Sequence, residues 1–189
     1  MGRLAYLDNA ATTMRKPIAV RRAVKKAFRK CGSPGRGGHH PSENASEILF
    51  SCRMLASELF HVDSPSRIVF TSNATHALNI AINSIIKTER LAERGKDGRV
   101  LISGYEHNSV LRPLMARKSE GIETVPVMAP LFEPEVFLHK LEQEMDSGAG
   151  AVVCTHVSNV FGYILPIERI SEMCHRRGIP LIIDASQSA

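Results

Sequence analysis

Apolar positions recur along this chain with two different periods, and the change from one to the other organises it. From Val20 to Phe28 the residues Val20, Ala23, Val24, Ala27 and Phe28 follow helical spacing, interleaved with Arg21, Arg22, Lys25, Lys26, Arg29 and Lys30. The spacing predicts an amphipathic helix from about Pro17, a residue suited to a first helical turn, to Lys30. An extended piece, Leu4–Leu7, and the turn-forming run Asp8–Thr13 precede it. The segment CGSPGRGG at 31–38 reads as a loop, because four glycines and a proline sustain neither a helix nor a central strand. A second amphipathic helix is expected over about Ser42–Phe60.

From Arg67 onward short apolar runs alternate with helical stretches. Strands are expected at Ile68–Thr71, Val100–Ser103, Glu123–Val127, Ala151–Thr155 and Leu181–Asp184, and helices near Thr75–Lys87, Asn108–Ser119, Glu133–Asp146 and Ile167–Arg177. This order predicts an α/β fold, a mostly parallel sheet with helices on its faces. The expected organisation is an N-terminal arm with helices over 1–66, then the sheet-forming portion over 67–189.

Composition narrows the class. The chain has 189 residues, 43% apolar and 23% charged, which is ordinary for a globular protein with a substantial core. No stretch approaches the ~20 apolar residues of a membrane span, and the N-terminus lacks a signal peptide's apolar core, so a cytoplasmic protein without membrane association is expected. Cys31, Cys52, Cys154 and Cys174 lie far apart with no CxxC, which points to reduced thiols rather than a disulfide framework or zinc ribbon. The net charge of +5 draws on the basic helix. Such a face is either simply solvated or grips nucleic acid or an anionic membrane; three tyrosines, no tryptophan and no nucleic-acid motif favour solvation.

Candidate chemistry sits where strands end. Leu181–Asp184 is an apolar run closed by a carboxylate, and open α/β sheets collect ligands at the carboxyl ends of their strands. Asp184 either faces such a ligand or, like Ser186, caps a following helix. Ile68–His76 passes from an expected strand through a small-residue turn into a helix, whose free N–H groups and the Thr75 hydroxyl suit a phosphate; a plain N-cap by Asn73 or Thr75 is the alternative. His107, in a polar loop after the next strand, either packs on a planar ligand and takes part in proton transfer or is simply exposed. Asn159 offers an amide after the fourth strand. Cys154 and His156 share a strand face, but two ligands fall short of a four-coordinate site, so no metal is expected.

Taken in order, these features form a phosphate seat, an aromatic ring, an amide and a carboxylate, each after a successive strand. The segments YLDNAATT (Tyr6–Thr13), GSPGRGGHH (Gly32–His40), FTSNATHALN (Phe70–Asn79), EHNSVLRPL (Glu106–Leu114), THVSNVFGYILPI (Thr155–Ile167) and IDASQSA (Ile183–Ala189) closely resemble the class V aminotransferase family, more narrowly its cysteine desulfurase-like branch. The resemblance implies a fold type I scaffold, a three-layer α/β/α arrangement, and pyridoxal 5'-phosphate (PLP) as cofactor. It implies that Thr75 and the backbone around Ala74 hold the phosphate, that His107 stacks on the ring as the catalytic residue, that Asn159 and Gln187 approach the ring hydroxyl, and that Asp184 holds the ring nitrogen protonated.

By the same resemblance the activity is sulfur removal from L-cysteine, giving alanine and an enzyme-bound persulfide, in a homodimer that serves a sulfur-acceptor protein. Selenocysteine lyase and other class V chemistry share these motifs, and a non-catalytic remnant of the fold is a further alternative. The family's cofactor-anchoring lysine, small C-terminal domain, substrate-carboxylate arginine and persulfide-bearing loop are expected beyond Ala189, so that 67–189 is a partial cofactor-binding domain. His76 stands where the family usually has glutamate, and no cysteine here matches the persulfide position. The family's sheet pairs Ile68–Thr71 with a strand from that later part, and this strand edge is expected to lack its neighbour.

Overall fold

The computed structural model describes residues 5–9, 11–86 and 98–189, which fall into two compact units, Met1–Phe70 and Thr71–Ala189. Leu4, Ala10 and the helix end expected at Lys87 lie outside the described residues.

The first unit carries α1 (Ile18–Lys30) and α2 (His40–Leu59). α1 has the expected amphipathic spacing, yet none of its residues is buried. The glycine-rich segment between the helices is tied back to α2: Ser42 Oγ donates to the Ser33 carbonyl at 2.8 Å, and the Gly32 N–H donates to the Pro41 carbonyl at 2.8 Å. His39 caps α2, its Nδ1 accepting from the Ser42 N–H at 3.3 Å.

The run Ile68–Thr71, expected as a strand, is not one. It follows a 3-10 turn (Pro65–Arg67) that Ile68 leaves in an extended conformation, at φ −87° and ψ 119°, and no described strand pairs with it. Val69 is 70% exposed and Phe70 50%. Apolar β-branched residues favour extended backbone, but a strand exists only where a second strand accepts and donates its ladder hydrogen bonds.

The second unit is a three-layer sandwich. α3 (Ala74–Ile85) leads to β1 (Arg99–Ile102), and then come α4 (Asn108–Met115), β2 (Glu123–Pro126), α5 (Pro134–Asp146), β3 (Ala151–Thr155), α6 (Ile167–Arg177) and β4 (Leu181–Asp184). The four strands pair in parallel in the order β2-β1-β3-β4. Register sets Leu101 opposite Val125 and Val152, and Val153 opposite Ile182. The chain enters the sheet at β1, moves outward to β2, then crosses back to β3, so the strand order reverses beside β1.

Period-two alternation decides which layer each strand residue joins. Leu101, Val152 and Cys154 face one way and pack with Phe137, Leu141 and Met145 of α5 and Ile170 and Met173 of α6. Val100, Ile102, Ala151, Val153 and Ile182 face the other way, against Leu78 and Ile82 of α3 and Val110 and Leu114 of α4. Because β1 and β3 are covered on both faces, they read as continuous apolar runs rather than alternating ones. All five residues of β3 are buried. α4 stops at Met115, shorter than the Asn108–Ser119 spacing predicts; the chain tightens into a 3-10 turn (Lys118–Glu120) and leaves it through Gly121 at φ 85°. With the strands parallel, the ends of β1, β3 and β4 open on the same side.

Candidate functional site

One open cavity of about 210 Å³ lies at this end of the sheet, lined by residues that include Ala74, Thr75, His107, Asn159, Asp184 and Gln187. All six positions expected from the sequence therefore reach a single space, although 113 residues separate the first from the last. Ser109, Thr155, Val157 and Ser186 complete the lining.

The first wall is the N-terminus of α3. Its cap is Asn73, whose Oδ1 accepts from the His76 N–H at 2.8 Å, while the Thr71 hydroxyl donates to the Asn73 carbonyl at 2.8 Å. Thr75 is therefore not the cap. Its hydroxyl makes no hydrogen bond among the described residues, and the N–H groups of Ala74 and Thr75 precede the first intrahelical bond. The result is a cluster of donors at the positive end of a helix dipole, suited to an anion. His76 turns its Nδ1 toward Ser72 Oγ at 3.2 Å and does not line the cavity.

The second wall is the loop after β1. His107 is the N-cap of α4: its Nδ1 accepts from the Ser109 N–H at 3.1 Å and lies 2.9 Å from Ser109 Oγ. An acceptor role at Nδ1 places the proton of the neutral imidazole on Nε2. Immediately before it, Glu106 is buried, with Oε1 accepting from the Ser103 N–H at 2.8 Å and from the Ser103 hydroxyl, and Oε2 accepting from the Gly104 N–H at 2.8 Å. Burial raises its pKa above the ordinary carboxyl value, against the lowering effect of the Ser103 and Gly104 hydrogen bonds.

The third wall follows β3. Thr155 faces the cavity, whereas its neighbour Cys154 points into the core beneath α5 and α6. Burial pushes the Cys154 thiol far above its usual range and the Cys174 thiol up to about 11, so both are closed to ionic chemistry. His156 Nδ1 lies 2.9 Å from Ser188 Oγ, so Cys154 and His156 do not converge, and no described cluster of ligating side chains is suited to a metal ion. The segment after β3 folds back on itself: Val157 bridges Ile164, the Ser158 N–H donates to the Tyr163 carbonyl at 2.9 Å, and the Gly162 N–H to the Ser158 carbonyl at 2.9 Å. Asn159 stands exposed at the shoulder of that fold.

The fourth wall is β4 and its exit. Asp184 is 7% exposed, and both hydrogen bonds made to its carboxylate by described residues fall on Oδ1, from the Ser186 N–H at 3.1 Å and the Ser186 hydroxyl at 2.5 Å. Oδ2 is thus left for a donor in the cavity. The Asp184 carbonyl accepts from the His156 N–H at 2.9 Å, fixing this exit against the one after β3.

Glu106, Ser109 and Thr155 carry no role in the sequence reading, and Ser186 enters it only as a candidate helix cap. Parity offered a signal for two of them, because Thr155 alternates with the core residue Cys154 and Ser186 stands two residues from Asp184. For Glu106 the local spacing holds no signal, since a glutamate in a polar loop is normally solvated.

The family model for class V aminotransferases matches residues 5–189. A cysteine desulfurase IscS of Pectobacterium carotovorum subsp. carotovorum (strain PC1) is 34% identical, covering 97% of this chain and 44% of its own length. A probable cysteine desulfurase of Halalkalibacterium halodurans is 30% identical, covering 98% and 45%. Among solved structures, SspA in complex with cysteine superposes with a TM-score of 0.83 at 25% identity, covering 97% of this chain and 51% of that one. The chain thus spans about half the length of the relatives it matches. Its fold is that of the PLP-dependent fold type I proteins, and the chain belongs to the class V aminotransferase family.

Proposed function

We propose that the cavity at the ends of β1, β3 and β4 seats PLP, and that the whole protein removes sulfur from L-cysteine. The observation that carries the reading is the gathering in one cavity of an anion-receptive helix end, an imidazole, an amide and a buried carboxylate. The chemistry of these groups fits the cofactor. The Ala74 and Thr75 N–H groups and the Thr75 hydroxyl have capacity for phosphate oxygens. Asp184, anchored through Oδ1, offers Oδ2 to a protonated ring nitrogen, and Asn159 and Gln187 supply amides for the ring hydroxyl. His107 presents its ring to the cavity with the backbone of α4 fixing its tautomer.

When bound, PLP supplies an electron sink for a carbanion formed on an amino-acid substrate. The chain's part is to hold the phosphate, to keep the ring nitrogen charged through Asp184, and to place His107 against the ring face for proton movement. The net reaction is L-cysteine plus a thiol giving alanine plus a persulfide. L-Cysteine is the proposed substrate because the matching relatives are named as cysteine desulfurases and SspA was solved with cysteine. Cys154 and Cys174 are excluded as the accepting thiol by their burial. In this reading the whole protein is a cytoplasmic homodimer that passes sulfur to an acceptor protein, and the residues described here give PLP its noncovalent contacts.

The test is a fluorescence titration of the purified protein with PLP, alongside Thr75→Val and Asp184→Asn. Each substitution removes a hydrogen bond to a charged group and is expected to weaken binding about tenfold or more. A wild-type protein that takes up no PLP, or variants that bind as well as wild type, would sink the cofactor assignment. For the substrate, the protein isolated from its native source should release alanine from L-cysteine in step with persulfide sulfur; release from L-selenocysteine alone overturns the choice of L-cysteine.

A further inference from the structure

Of the buried polar side chains described in the second unit two are acidic, Asp184 and Glu106, and Glu106 has no place in the proposed ligand contacts. It is 9% exposed, and no described lysine or arginine forms an ion pair with it. A buried charge without a counter-ion persists only where hydrogen bonds replace its lost water. Here three donors converge on it: Ser103 through N–H and hydroxyl on one oxygen, and the Gly104 N–H on the other. Swinging Glu106 out to solvent would leave two backbone N–H groups unpaired at the end of β1, so the side chain and the turn hold one another.

The same short segment is anchored on both flanks. The Tyr105 N–H donates to Ser103 Oγ at 3.3 Å, and the Tyr105 hydroxyl donates to the Ala129 carbonyl at 2.7 Å. The Tyr105 ring meets those of Tyr163 and Phe161 edge-on, at centroid distances of 5.5 and 6.3 Å. After Glu106 the chain enters α4 at once, with His107 as its cap. Every residue from Ser103 to Glu106 is therefore held by a hydrogen bond, and His107 is the first residue after β1 to line the cavity.

We propose that Glu106 is the positioning residue for His107, its two-oxygen grip on Ser103 and Gly104 fixing the turn that sets the imidazole at the cavity wall. The proposal rests on the PLP reading for its purpose but not for its geometry. It also explains the residue type. A carboxylate accepts at both oxygens, whereas the amide of a glutamine accepts at one and turns an NH₂ toward the remaining N–H donor. The isosteric Glu106→Gln change is therefore disruptive at this position, while at a solvated loop position it would be silent.

The test compares wild type, Glu106→Gln and Ser103→Ala by two readouts. In the ligand-free protein, long-range ¹H–¹⁵N spectra of the His107 ring, assigned by the signal that vanishes in His107→Asn, report the Nδ1 acceptor state. In a PLP titration, affinity reports ring placement. Glu106→Gln is expected to lose the hydrogen-bonded Nδ1 signature and to bind PLP about tenfold more weakly, as for the loss of one hydrogen bond to a charged group. Ser103→Ala, which removes one of the three donors, should shift both in the same direction by less.

An unchanged His107 spectrum in a folded Glu106→Gln protein overturns the proposal. If that variant does not fold, Ser103→Ala decides it, and an unchanged spectrum there overturns it equally. A perturbed His107 spectrum supports the positioning role even when wild type takes up no PLP; that result would instead remove the cofactor reading. A perturbed spectrum with unchanged PLP affinity supports the positioning of His107 and overturns its purpose in cofactor binding.

Discussion

Replacing Gly104 by alanine would test the turn at the end of β1 on which the second wall of the cavity depends. Two separate costs follow from the structure. Gly104 has φ 82°, in the left-handed region, where a side chain costs about 1–2 kcal/mol. A Cβ at this position would also sit 2.4 Å from the Met128 sulfur. Overpacking of that kind costs about 1–3 kcal/mol, but Met128 is 56% exposed and its end can swing aside, so the lower end of the range applies.

Gly104→Ala should thus lose about 2–3 kcal/mol in urea unfolding. Gly104→Ala in a Met128→Ala background should lose only the conformational part, about 1–2 kcal/mol relative to Met128→Ala alone. Gly178, which caps α6 at φ 60° with nothing near its would-be Cβ, provides the control: Gly178→Ala carries the conformational cost without any overlap. A Gly104→Ala protein within about 0.5 kcal/mol of wild type, the usual range for inconsequential surface changes, would refute both the strain and the contact.

Two further outcomes are expected. In a thiol-reagent titration at pH 8, Cys52, which is exposed, and Cys31, which is partly exposed, should be modified, whereas Cys154 and Cys174 should stay silent until urea is added. With its pKa near 11, Cys174 is thiolate in only about one molecule in a thousand at that pH, and fast labelling of more than two thiols in the folded protein contradicts the burial described here. Glu106 binds its proton more tightly in the folded protein than in the unfolded chain, because burial raises its pKa from 4.5. Its contribution to stability is therefore fully present below the unfolded value and is lost as pH rises through the raised folded one. Urea unfolding from pH 4 to 7 should show the stability of wild type, relative to Glu106→Gln, falling with pH; a relative stability that rises instead would show that the Ser103 and Gly104 hydrogen bonds outweigh burial.

Much of the second unit was legible in the amino-acid order. Ala151–Thr155, Leu181–Asp184 and Ile167–Arg177 form the expected elements at the expected bounds, because a strand covered on both faces must be apolar throughout and a helix over a sheet must repeat its apolar face every three to four residues. Ile68–Thr71 has an equally apolar sequence and forms no ladder. Its residues favour extended backbone, but the pairing that turns extended backbone into a strand comes from elsewhere in the chain.

The site divides along the same line. His107, Asn159 and Asp184 announce themselves by residue type after strands, where parallel sheets place ligands whatever the details of packing, Thr75 by its place at a helix N-terminus, and Gln187 only through the family resemblance. The sequence also set the period of each element. Only the tertiary structure decided that β1 lies between β2 and β3, that Asn73 rather than Thr75 caps α3, that Asp184 is held through one oxygen by Ser186, and that Glu106 is buried and gripped by Ser103 and Gly104. Spacing along a chain fixes which side chains share a face, but desolvation and hydrogen-bond partnership are set by what the fold brings up against that face, and at Glu106 this turned a loop carboxylate into a buried one.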